Sequence, residues 1–320
     1  MPTYVKTGGE TLEIADGAPG WIARLIEETV GAAPTASADG PATVRLVAEA
    51  SSAPFPREGL HVLTRGAYAD GTRVLVTDAC SAGFDLLAEA GDDTLTVRAR
   101  YRPAAKTKAA NLVLSSRFRL LAGQTLVHYP VLWRASWRGR VPLHVSVVGT
   151  AGRTVLLAGP GGVGKSTFVR RAIALGARAT ADNLCVADPG GACHGVAEPM
   201  RTDAADAGQG RSTSHGRVSV PFDDRIDALE PDRLVVLGRG AKTAVSEIDP
   251  AEAARVLVAG TYAGGELRRY WAMAATLSLG TGRGPAHPAI AEVARSYAEA
   301  LPCFRVSIAD GESVGIEELP

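Results

Sequence analysis

Apolar residues recur at helical spacing over residues 19–30, where Trp21, Ile22, Leu25, Ile26 and Val30 fall on one face. Over residues 95–100 the period changes to two, with Leu95, Val97 and Ala99 set against Thr96, Arg98 and Arg100. A helix is predicted at the first stretch and a strand at the second, with further strands at 44–47 and 73–77. Helical spacing returns over 109–121, and the tryptophan-bearing 133–137 region leads to a boundary near Arg140. With a Gly/Pro/Ala-rich join at 31–41, residues 1–140 read as a small α/β domain.

Beyond Arg140 the pattern predicts a strand over 143–148, a tight turn at 149–152, a strand over 154–157, a helix over 168–175 and a strand running into 181–186. Residues 201–217, rich in Asp, Gly, Ser and Thr, show no period and read as a loop able to cover a substrate. Strands follow at 234–237 and 243–248, helices at 251–257, 266–275 and 289–301, and a closing strand at 304–308. Residues 141–320 thus form a second α/β domain.

Composition adds bounds. The chain has 320 residues, 46% of them hydrophobic, with a mean hydropathy of +0.06. No run reaches the ~18 apolar residues of a membrane span, and the start is polar, so the expected location is cytoplasmic, with no membrane contact. Cys80, Cys185, Cys193 and Cys303 lie apart, without a Cys-x-x-Cys pair, and read as small buried apolar residues. The formal net charge is +0, yet no Asp or Glu occurs between Asp93 and Asp182, while Arg and Lys recur throughout. Such a block either attracts an anionic partner or is balanced by acids folded in from elsewhere. Few aromatics and no nucleic-acid-reading motif rank nucleic acid low among partners.

Residues 159–167 read Gly159-Pro160-Gly161-Gly162-Val163-Gly164-Lys165-Ser166-Thr167, a complete G-x-x-x-x-G-K-[ST] sequence between a predicted strand and a predicted helix. A phosphate chain needs converging N–H donors, and Gly161, Gly162 and Gly164 let the backbone curl around it. The helix that follows offers unpaired N–H groups and a favourable dipole. Lys165 is expected on the β- and γ-phosphates of ATP, Ser166 on Mg²⁺ and Thr167 near the α-phosphate. Asp182, the first acid after the positive block, is placed for Mg²⁺ or a nucleophile. Asp188, which ends an apolar run, competes for the metal role.

The segment Leu143-His144-Val145-Ser146-Val147-Val148, the phosphate loop, and Gly176-Ala177-Arg178-Ala179-Thr180-Ala181-Asp182-Asn183 together resemble the catalytic core of HPr serine kinases and their relatives. Residues 301–306 resemble the end of many such proteins. The resemblance covers roughly the last 180 residues in the coarse-length sense. It implies an HPr kinase/PEP carboxykinase-like P-loop domain preceded by the smaller α/β domain, which would select the substrate. It further implies ATP- and Mg²⁺-dependent transfer to a serine-type hydroxyl of a protein or peptide. Asp182 would be the catalytic base and His144 the neighbour of the transferring phosphate, with Ser166, Asp182 and Asn183 toward the metal. Relatives also act in ribosomal peptide natural-product biosynthesis, and HPr-type kinases are often homo-oligomers.

This sequence departs from the family at Asn183, which stands where the family has a second Asp, and it lacks the loop used for phosphorolysis. Asn183 leaves open a second class of protein, one that binds nucleotide and a leader-bearing peptide without transfer. Arg201 is a candidate phosphate or substrate clamp, Cys193-His194 reads as a loop, and His61, His128, His215 and His287 receive no role.

Overall fold

The computed structural model describes residues 1–202, 210–213, 216–222, 225–312 and 314–319. The architecture is mixed α/β, with four sheets among the described residues. The first has eight strands in the spatial order Thr3–Thr7, Glu10–Ile14, Val44–Glu49, Leu95–Tyr101, Phe84–Ala90, Arg73–Ala79, Ala67–Ala69 and His61–Thr64. Val44–Glu49 pairs parallel with both Glu10–Ile14 and Leu95–Tyr101, Thr3–Thr7 pairs antiparallel with Glu10–Ile14, and the remainder is an antiparallel meander. Helix α1 (Gly20–Val30) buries the predicted stripe Ile22, Leu25, Ile26 and Val30, while Trp21 stays partly exposed.

Helices α2 (Ala105–Val113), α3 (Ser115–Gly123) and α4 (Tyr129–Ser136) follow, with one π turn, Gln124–His128, between the last two. That turn is wholly buried, and π turns of this kind frequently accompany functional sites.

The second sheet has six strands, Arg178–Ala179, Ser146–Thr150, Arg153–Ala158, Arg233–Arg239, Cys303–Ile308 and Ala244–Glu247 in spatial order. Arg153–Ala158, Arg233–Arg239 and Cys303–Ile308 run parallel at its centre. Side chains of a strand alternate between faces. Val155, Leu157, Val235 and Leu237 accordingly share an apolar cluster with helix α5 (Lys165–Ala174). Leu156, Ala158, Leu234 and Val236 share another with helices α6 (Pro250–Ala263) and α8 (Ile290–Ala300). Helix α6 starts at Asp249, whose carboxyl accepts from Ala251 N and Glu252 N at 2.8 and 3.2 Å.

A third, antiparallel sheet joins Ala228–Leu229, Cys193–Gly195, Cys185–Ala187 and Val141–Leu143, and a fourth joins Met200–Thr202, Val218–Val220 and Arg211–Ser212. Two expected strands are therefore interrupted. Residues 143–148 divide between Val141–Leu143 in the third sheet and Ser146–Thr150 in the second, with His144 at the bend. Residues 181–186 contribute only Cys185–Ala187, and Asp182 lies in the crossing from the second sheet to the third rather than on a strand. Cys193-His194 is a strand, not a loop. Of the expected loop over 201–217, residues 201–202 and 211–212 lie in strands, and residues 203–209, 214 and 215 lie outside the described residues.

The predicted helix over 266–275 is a 3₁₀ turn, Gly265–Leu267, followed by helix α7 (Tyr270–Thr281). Helix α7 is apolar around most of its circumference, which suits burial on more than one side. Its Tyr270, Met273, Ala274 and Leu277 join the apolar core of the first sheet, so that core draws on both parts of the chain. At Gly280 a Cβ would meet Val74 Cγ2 at 2.4 Å and Ala69 Cβ at 3.0 Å. Replacing Gly280 with Val is expected to cost roughly 1–3 kcal/mol by overpacking this contact, read as a lower urea midpoint with an unchanged slope; an unaltered midpoint would mean that α7 does not dock this closely.

Candidate active site

The phosphate loop leaves the carboxyl end of the central parallel strand Arg153–Ala158 and opens helix α5. Positive φ angles fall on Gly159 (144°), Gly162 (78°) and Gly164 (114°), not on Gly161. The tight approach is at Gly159, where a Cβ would lie 2.7 Å from Leu237 O. Val163 is buried in the cluster beneath α5 and anchors the loop. Lys165 Nζ donates to Gly159 O at 2.8 Å and Pro160 O at 3.2 Å, and the side chain is almost wholly buried. Burial brings its pKa down to about 8, against the opposing charges of Glu266 and Asp182. Thr167 lines a small cavity of about 70 Å³ with Arg171 and Arg239.

Asp182 is fully buried beside this loop. Its Oδ2 accepts from Arg201 N at 3.1 Å and Asn183 Nδ2 at 3.0 Å. Oδ1 is buried without a partner of hydrogen-bonding geometry, while the Ser166 hydroxyl interacts with the same carboxyl. Burial pushes the Asp182 pKa up, and Ser166 and the charges of Arg201 and Arg217 oppose it. The backbone is pinned as well, because Ser146 Oγ donates to Asp182 O.

Around Asp182 the fold assembles groups from distant parts of the chain. Arg201 Nη1 pairs with Glu266 Oε1, and Nη2 lies 3.3 Å from Glu198 Oε2. Glu198 Oε1 accepts from Asn183 N at 3.0 Å. Burial raises the Glu198 pKa to about 8 despite Arg201, whereas the Arg201 pairing holds Glu266 at about 2 against the cost of burial. His144 Nε2 lies 3.9 Å from Glu266 Oε2, its backbone N donates to Thr261 Oγ1 at 3.2 Å, and Nδ1 has no hydrogen-bond partner. Burial and the Lys165 charge lower the His144 pKa to about 4, so the imidazole is neutral near pH 7.

Lys165, Ser166, Asp182, Asn183 and His144 are thus brought together in space, and Arg201 joins them. Asp188 is not part of the group: its carboxylate takes Arg140 Nε at 2.8 Å and Gly190 N at 2.9 Å at a hairpin. Glu198 and Glu266 were not singled out, and neither lies in a motif. The spacing Glu198-Pro199-Met200-Arg201 around an already suspected arginine was the available signal for Glu198. Glu266 carried none.

The donor set fits a magnesium ion. Mg²⁺ keeps waters and substrate phosphates and takes only one or two protein oxygens, and the orphaned Asp182 Oδ1 with the neighbouring Ser166 hydroxyl supplies that number. Among the described residues no group of three or more His, Cys, Asp or Glu side chains forms an all-protein metal cage. The Asn183 amide nitrogen is engaged by Asp182, which leaves its carbonyl oxygen for a metal or water. No described helix is long and apolar enough to cross a membrane. Neither protein-family models nor curated proteins yield a match to this chain.

Two outcomes follow from the buried charges. Arg201→Ala leaves the partly buried Glu266 without its cation and is expected to cost roughly 1.5–3 kcal/mol of unfolding free energy near pH 7, measured by denaturant titration. Glu198 has a folded pKa of about 8 against an ordinary 4.5, so its contribution is complete below the lower value and lost as pH rises through the higher one. The melting temperature of Glu198→Gln minus that of the parent should therefore increase from about pH 5 to about pH 8.5; a flat difference would mean that Glu198 is ionised in the folded protein.

Proposed function

We propose that this chain is an ATP- and Mg²⁺-dependent kinase that phosphorylates a serine-type hydroxyl on a protein or peptide, using an HPr kinase/PEP carboxykinase-like P-loop domain. The observation that carries the reading is the buried Asp182 carboxyl, with one unpartnered oxygen, beside Ser166 at the mouth of a complete phosphate loop. The loop amides and the α5 N-terminus cradle the phosphates, and Lys165 exchanges its carbonyl partners for phosphate oxygens. Asp182 and Ser166 would hold Mg²⁺, which would supply positive charge to offset that of the phosphates.

Asp182 accepts the acceptor hydroxyl's proton as that oxygen bonds to the γ-phosphorus, the bond to the β-bridging oxygen breaks, and ADP leaves. Neutral His144, with Nδ1 unpartnered, offers a hydrogen bond or takes a proton as charge develops nearby.

A second reading, nucleotide binding for peptide recognition without transfer, is favoured by Asn183. Its neutral amide stands where the resembled kinases carry a second carboxylate, and it hydrogen-bonds Asp182 rather than adding charge for a metal. Incubation with γ-labelled ATP, Mg²⁺ and candidate serine peptides separates the two. Transfer is expected from the parent, with Asp182→Asn lower by about 10²–10⁴-fold and Lys165→Ala without turnover. ATP bound tightly with no label on any peptide supports the recognition reading, and transfer undiminished in Asp182→Asn removes the aspartate from its role.

A further inference from the structure

Six cations of the positive block are paired with acids that fold onto them. Arg98 and Arg100 pair with Glu49, Arg102 pairs with Asp85, and Arg134, Arg138 and Arg140 surround Glu10. The cations of α2 and α3 are different: Lys106, Lys108, Arg117 and Arg119 have no carboxylate partner among the described residues. Arg24 of α1 has none either.

Three of these unpaired cations, Arg24, Lys108 and Arg119, line a cavity of about 390 Å³ between α1, α2 and α3 whose apolar wall is Trp21, Tyr101 and Phe118. Trp21 meets Tyr101 edge-on at 5.1 Å and Phe118 at 6.4 Å, a preformed aromatic surface. Leu112 on its rim is 76% exposed. Leu25, Glu28 and Arg119 also line a second, inner cavity of about 130 Å³, so the two adjoin. The inner cavity is closed by Gln124 and His128 of the π turn and by Glu198 and Arg201. Arg201 N bonds Asp182, so the inner end borders the proposed catalytic acid. Glu28, the acid in the outer cavity, is already paired with Arg211.

We propose that these two cavities form one trough that captures an extended, acidic and apolar peptide segment and leads its acceptor residue toward Asp182. The proposal rests on the kinase reading for what happens at the inner end, and on the trough alone for capture. Charge complementarity specifies the acidic side chains, because the outer cavity presents cations without partners beside an aromatic wall. The size of the inner cavity specifies an extended segment. A volume of about 130 Å³ admits one side chain or a chain end, whereas a folded surface would stop at the rim. The substrate therefore needs an arm, with aromatic or aliphatic residues for the wall formed by Trp21 and Phe118 and glutamate or aspartate opposite Lys108 and Arg119.

The test uses the full-length protein and two short fluorescein-labelled peptides, one combining glutamate with phenylalanine and leucine and ending in serine, the other with lysine for every glutamate. Anisotropy should show the acidic peptide binding, weakening as salt rises, and the lysine peptide weaker by about tenfold or more. Lys108→Glu/Arg119→Glu should reverse the preference. Leu112→Asp, at a surface position where folding is not at stake, should weaken the acidic peptide. Equal binding of the two peptides, or acidic-peptide affinity unchanged in these variants, overturns the proposal. Capture that persists in Lys165→Ala supports the trough and is neutral toward the kinase reading, whereas capture without label transfer in the parent supports the trough and counts only against the kinase reading.

Discussion

Arg201 lies partly buried among Glu198, Glu266 and Asp182, and the rest of the site depends on how that charge is balanced. A buried guanidinium is tolerated only where carboxylates and hydrogen bonds replace its lost hydration. The balance here is unequal. Glu266 takes the ion pair and stays ionised, Glu198 is raised toward a neutral acid, and Asp182 is left with a raised pKa and one free oxygen. Burial raises Glu198 and Asp182 while the Arg201 pairing holds Glu266 low, and separations of this kind are those on which acid and base assignments rest.

The same cluster ties the two large sheets together. Glu198 lies between strands of the third and fourth sheets, Glu266 lies on the 3₁₀ turn that leads into α7, and α7 packs on the first sheet. His144 sits at a bend between sheets, and Thr261 of α6 holds that bend by its hydroxyl. The loop site and the cavities beside α1 and α3 therefore share structural elements. Arg201 is common to both, since it lines the inner cavity and bonds Asp182 through its backbone.

What the sequence discloses follows the range of the interactions. The phosphate loop is local, and its glycines, lysine and serine are fixed by backbone geometry within nine residues, so their spelling suffices. Helix α1 was equally legible, because one apolar stripe decides which face is buried. Gly161 was assigned a curl that Gly159 performs instead, since strand packing against Leu237 O lies outside the motif. The strands through His144 and Asp182 broke because chain crossings between sheets leave apolar runs uninterrupted; periodicity registers burial, and both residues are buried. Glu266 was invisible because a glutamate at the start of an expected helix looks like any first-turn acid.

Asn183 is best understood from the same charge balance. A second aspartate at this position would place another carboxylate beside Asp182 and Glu198, both already penalised by burial, with the Arg201 charge engaged by Glu266. The amide instead donates to Asp182 Oδ2, and the backbone N of the same residue donates to Glu198 Oε1. Asn183 thus links the two acids that an ionised side chain would repel, and fixes the orientation of the Asp182 carboxyl so that Oδ1 remains unpartnered. Charge available to a metal is lower in consequence, while the aim of the remaining oxygen is better defined.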